Sequence, residues 1–181
     1  MVWILAILLI GATIFLSGCK KPVKPVEPKI TEILLSVPYE KYAGANWCLP
    51  ASAAMVFGYY GRNITQAFIA NRIIVNGNAS TFRLVSYAKE LGYFAEWKRK
   101  SIAEIEEYLR EGMPLIVNQN YSLSIKVNHS RVIVGFDSIK AELTMHDSVD
   151  GSNYKISYKA FFDLGFDTSE MSHIIIIKEM M

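Results

Sequence analysis

The sequence predicts an α+β domain in which N-terminal helices pack on a C-terminal antiparallel sheet, and three observations predict it. Up to Gly112 apolar residues recur at the spacing of amphipathic helices, and beyond it the spacing changes to the two-residue period of strands. Turn chemistry separates the later stretches, notably at Asp137-Ser138 and Asp150-Gly151-Ser152-Asn153. The 181 residues, 51% hydrophobic and 20% charged, suffice for one cored domain with appendages.

Residues 1–18 contain no charged side chain, which marks a signal peptide or a membrane anchor. Leu16-Ser17-Gly18-Cys19 resembles the bacterial lipobox, so Cys19 is the expected lipidation site. The alternative is an uncleaved anchor, since no basic residue precedes the apolar run while Lys20, Lys21 and Lys24 follow it. Both readings place the chain on a membrane, with the domain on the extracytoplasmic side. Residues 19–32, with Pro22, Pro25 and Pro28 among charges, read as a tether that cannot build a core. The folded domain is expected over 33–181.

A short strand over 33–38 closes at Pro38. Asn46-Trp47-Cys48-Leu49-Pro50 then opens a helix of small apolar residues that runs to Tyr60 and stops at Gly61, with Pro50 in the tolerant first turn. Cys48 thus sits at the positive end of a helix dipole, where a thiolate is favoured and the pKa falls below ~8.5. It reads either as a nucleophile or as a buried structural thiol. The only other cysteine is Cys19, and a lipidated Cys19 leaves Cys48 without a partner.

Further helices are expected over 64–74, over 81–91 and, from the capping box Ser101-Ile102-Ala103-Glu104, over 102–111. A turn is expected at Asn76-Gly77-Asn78 and a short strand over 93–97. Trp47, Tyr59, Tyr60 and Trp97 read as core and cleft wall. Strands follow over 114–118, 127–136, 141–145, 153–157 and 173–177, interrupted by a short helix over 159–164.

A nucleophilic Cys48 needs a base, and the chain offers His129, His146 and His173. His129 opens one strand and Asp147 closes the next, which returns antiparallel, so the two can meet at one rim of the sheet. His146 should point to the opposite face from Asp147. His173 reads as a partly buried residue at a strand start. Alone, His129 also reads as a surface histidine and Asp147 as a turn residue.

With Val37-Pro38-Tyr39, the Cys48 segment through Tyr59-Tyr60-Gly61, Gly112-Met113-Pro114, His129 before a strand ending Gly135-Phe136-Asp137, and Asp147, the chain resembles cysteine peptidase family 39. Its members are papain-like enzymes best known for cutting double-glycine leaders from bacteriocins, and the match spans residue 33 to the C-terminus. The resemblance implies a papain-like fold with Cys48 as nucleophile, His129 as base and Asp147 as its orienting acid. Two departures stand out. Leu49 replaces the glycine that usually follows the cysteine, and Tyr42 stands where the family carries an oxyanion-hole glutamine, six residues before the nucleophile. Tyr42 and Asn46 are the replacement donors to test.

The resulting expectation is a membrane-tethered thiol peptidase, or transacylase, that takes a peptide or protein substrate. The second expectation is a catalytically weak relative that binds an extended peptide or a partner in the same cleft, and the third a structural lipoprotein with a buried Cys48. No cofactor is called for, and the histidines lack metal-ligand spacing. A net charge of +2 without a long basic run gives no footprint for nucleic acid, and Lys98-Arg99-Lys100 reads as a solvated edge.

Overall fold

The computed structural model describes residues 30–166 and 170–180. The elements run β1 (Glu32–Leu34), α1 (Cys48–Tyr59), α2 (Gln66–Ile73), β2 (Ile74–Val75), β3 (Asn78–Ala79), α3 (Thr81–Glu90), β4 (Tyr93–Lys100), α4 (Ile102–Arg110), β5 (Leu115–Asn120), β6 (Asn128–Asp137), β7 (Glu142–Asp147), β8 (Gly151–Ser157), α5 (Tyr158–Asp163) and β9 (Ser172–Glu179). The main sheet is antiparallel in the order β4-β9-β5-β6-β7-β8, with β1 paired to β6 beside this path.

Every expected helix is present, with starts set by local chemistry. Thr65, Ser80, Ser101 and Ser157 each accept a backbone N–H from the first turn of the helix that follows. At Ser101 the box is complete, because Glu104 returns a carboxylate to the Ser101 N–H at 2.9 Å. Asn76 and Gly77 both take positive φ, so the expected turn is the tip of a two-stranded hairpin formed by β2 and β3.

Strand lengths differ from their expected spans, most at β1, β4 and β9. β1 stops at Leu34 because Pro38 offers no N–H and the segment turns away after Leu35. β4 continues to Lys100 because β9 pairs with it along the whole run, and the Lys98-Arg99-Lys100 cluster lies at the sheet's edge, where charge discourages pairing with another chain.

The core has two layers separated by the sheet. On one face, Met55, Val56 and Phe57 of α1, with Ile69 and Leu84 from α2 and α3, meet Ile116, Val132, Val134, Ile175 and Ile177. On the other, Ile105 and Leu109 of α4 and Phe161 of α5 meet Leu115, Val117, Ile133, Met145, Ile174 and Ile176. The four consecutive isoleucines of β9 alternate between these layers. The helices therefore cover both faces rather than one.

A bulge between Ile133 and Gly135 shifts the β6–β7 register and returns Phe136 to the face of Ile133. A Cβ on Gly135 would lie 2.3 Å from the Ile33 carbonyl oxygen, so this glycine is what lets β1 cross so closely.

Candidate active site

Cys48 is the first residue of α1, and no side chain caps that helix start. The free N–H groups of the first turn therefore remain available to an anion, and no acidic residue in that turn competes. The backbone N–H groups of Leu49 and Ser130 also favour the Cys48 thiolate. Trp47 fixes the approach to the helix by packing on Gly44, where a Cβ would lie 2.5 Å from the indole.

β6 and β7 bring the other two groups together. His129 stands second on β6 and Asp147 last on β7, and the imidazole Nε2 lies 2.9 Å and 3.0 Å from the two Asp147 carboxylate oxygens. With Nε2 turned to Asp147, Nδ1 is the nitrogen left for Cys48, which raises the proton affinity of His129. His129 and Asp147 are 5% and 0% exposed, so the chain Cys48, His129, Asp147 runs inward from the rim.

The electrostatics follow from this order. Burial alone would push the Cys48 thiol up, but the hydrogen bond and charge of His129 and the two backbone N–H groups hold it below its ordinary value. Burial likewise works against a charged His129, yet its bonds to Asp147 and Cys48 raise its proton affinity overall. Asp147, despite burial, is held at about 2 by His129, the Val149 N–H and the Arg131 charge. The arrangement favours a thiolate beside an imidazolium.

The other expected residues fall as follows. His146 points away from Asp147, its Nε2 3.0 Å from the Val37 carbonyl and its Nδ1 accepting the Asn153 N–H. His173 is half-buried at the start of β9, with its ring 5.4 Å from Trp97. The Tyr42 side chain is 39% exposed, while its N–H donates to the Ser148 carbonyl. Asn46 sits at φ 62° and turns its amide to the Gly77 carbonyl, 3.2 Å away, rather than across Cys48. Cys19 and the signal or anchor segment lie outside the described residues.

Three contributors were not anticipated. Arg131, 2% exposed, donates from Nε to Asp147 at 2.7 Å and from its other nitrogens to the carbonyls of Asn120 and Tyr121. Its signal was the spacing of two from His129, which puts both on one face of β6. Tyr121 lays its ring edge-on to His129 at 5.1 Å and donates its hydroxyl to Asp150. Gln66 accepts the Ala43 N–H and donates to Glu40 and the Lys41 carbonyl, which pins the segment carrying Tyr42. No sequence pattern marks these last two.

The profile of the Peptidase C39-like family matches residues 34–170. The chain belongs to that family. Solved structures agree with the C39-like domain in fold. A C39-like peptidase of Bacillus anthracis superposes with a TM-score of 0.66 at 19% identity, covering 82% of this chain and 98% of its own. A double glycine motif protease from an AMS/PCAT transporter, in complex with its leader peptide, gives 0.62 at 20% identity, covering 84% of this chain and 100% of its own. Xylellain, a cysteine protease of Xylella fastidiosa, gives 0.61 at 11% identity, with 84% and 87% covered. No curated protein matches the C39-like chain by sequence.

Proposed function

We propose that this chain is a membrane-tethered thiol peptidase that cleaves, or transfers, peptide acyl groups through Cys48, His129 and Asp147. The observation that carries this reading is His129 itself, whose Nε2 is hydrogen-bonded to a buried carboxylate while its charge favours the Cys48 thiolate. The Cys48 thiolate attacks the scissile carbonyl, His129 protonates the departing amine and then activates water, and Asp147 fixes the imidazole. Family membership and the leader-bound relative support an extended peptide as substrate. The apolar residues 1–18 and the lipobox-like Cys19 support an extracytoplasmic membrane address.

A peptidyl electrophile directed at thiols tests the reading on the full chain. It is expected to label Cys48 in the folded protein, with His129→Ala slowing the reaction strongly. A Cys48 that reacts only after unfolding overturns the reading in favour of a structural thiol.

A second reading, a weakly active relative that binds peptide in the same cleft, is favoured by one observation: the Asn46 amide is taken by Gly77 and Tyr42 replaces the usual glutamine. Turnover gained by Tyr42→Gln in a wild type that shows none would establish it.

A further inference from the structure

Arg131 is an unusual neighbour for a thiolate-imidazolium pair. It is fully buried and fixed by three hydrogen bonds, one to Asp147 and two to the backbone at residues 120 and 121, and its guanidinium lies 5.8 Å from the Tyr121 ring centre. Asp147 does not need it for orientation, because the N–H groups of Val149 and Asp150 already hold Oδ1. What Arg131 adds is a permanent positive charge on Asp147 Oδ2, the oxygen that the imidazole also approaches at 3.0 Å.

Four charge-bearing groups adjoin here, Arg131, Asp147 and His129 buried and Cys48 half-buried at the rim. With the proton on sulfur or on the imidazole, the four sum to zero, so either resting form is tolerated without an uncompensated buried charge. Acylation consumes the thiolate. A protonated His129 then leaves the set at one positive charge, while a neutral His129 leaves it at zero. Without Arg131 the preference would reverse, since Asp147 would need the imidazolium to balance it.

We propose that Arg131 is a positioning residue whose counter-charge on Asp147 makes His129 release its proton once Cys48 is acylated. The inference rests on the peptidase reading above. As the Sγ–C bond forms and the C–N bond breaks, the electron pair goes to the nitrogen and the His129 Nδ1 proton follows it, so the amine departs neutral. Water then gives a proton to the neutral imidazole as its oxygen attacks the thioester and the Sγ–C bond breaks. Both steps need an imidazole that does not hold its proton.

The other titratable groups facing the cluster are Tyr39, whose hydroxyl donates to the Asp147 carbonyl, Tyr121 from the loop after β5, Asp150 from the turn after β7 and Tyr154 of β8. Burial and the neighbouring carboxylates hold Tyr39 and Tyr154 in their neutral forms, although Arg131 opposes this at Tyr154. Asp150 is exposed and bonded to Tyr121, so solvent screens its charge.

The test uses the full chain in detergent with ¹³C-labelled histidine and Cys48 alkylated by iodoacetamide, an uncharged stand-in for the acyl-enzyme. The three histidine signals are followed against pH, with His129→Asn assigning the one of interest. His129 in the alkylated wild type is expected to titrate at or below ~6.5. Arg131→Met should move it up by at least about one pH unit, and Arg131→Lys, which keeps the charge, by less than about half a unit. An unmoved or lowered midpoint in Arg131→Met, or an equal shift in both variants, overturns the proposal. If Arg131→Met does not fold, a wild-type midpoint above about 7.5 overturns it equally. The readout needs no turnover, so an inert protein would refute the peptidase reading and leave this result standing on its own.

Discussion

Asp147 gathers the buried end of the site: His129 and Arg131 through its oxygens, Val149 and Asp150 through their N–H groups, and Tyr39 through its carbonyl. Its carboxyl is held at about 2, below the ordinary 3.8. The ionised form therefore stabilises the fold, with the contribution complete above about pH 4 and lost as pH falls through about 2. Urea unfolding is expected to show a loss on the order of 2 kcal/mol across that window. Asp147→Asn should remove this contribution and lower stability at neutral pH by roughly 3–5 kcal/mol, because Arg131 is left buried without its anion. His129 works with the opposite sign. Its raised proton affinity adds stability that is full below ~6.5 and fades as pH rises past the raised value.

The proposed oxyanion donor is tested at Tyr42 and Asn46. If Tyr42 supplies the side-chain donor, Tyr42→Phe lowers the acylation rate by ~10²-fold or more and leaves Cys48 alkylation unchanged, since the oxyanion exists only in the transition state. Asn46→Ala is expected to have a small effect, because its amide is held by Gly77. Stopped-flow acylation against alkylation separates the two. The segment between them is fixed: Gln66 binds Ala43, and the Gly44 carbonyl accepts the Trp47 N–H. The pairing of His129 with Asp147 was readable in the sequence because antiparallel strands dictate which ends meet. Arg131 was not, because a basic residue inside a Val/Ile run reads as solvent-facing until both faces of the sheet are known to be covered.

Among the elements, β6 does the most to position the site. It carries His129 and Arg131 on one face and is crossed by β1 near its far end, where the Gly135 bulge resets the register with β7. Gly135→Ala places a Cβ against the Ile33 carbonyl, so β1 must lift or β6 must shift. A destabilisation of roughly 1–3 kcal/mol by chemical unfolding is expected, with Cys48 alkylation changed less than by any substitution at His129. The helices were legible from caps and periodicity, and the strands from alternation. The close crossing of β1 was not, since Gly135 in isolation looks like any glycine near a strand end.

For the whole molecule, the proposed membrane address rests on residues 1–19 and is tested there. Cys19→Ala is expected to leave a longer, unlipidated precursor, read by intact mass after membrane extraction. A wild type that keeps an unmodified Met1 would instead establish an anchor. Sheet order was the least legible feature, because periodicity identifies strands but not their partners.

That order has a kinetic consequence. β9, the last strand of the described chain, lies between β4 and β5 and, among the described residues, is the only strand paired with β4. A chain emerging from the ribosome can close its hairpins from β5 to β8, but the sheet stays split until residues 172–179 arrive to zip its two parts together. With so many pairings between distant positions, folding is expected to be slow, and the sheet closes only once residues 172–179 are available. Throughout that interval Ile174 to Ile177 are missing from both core layers, so the helices packed on either face of the sheet lack part of their seat.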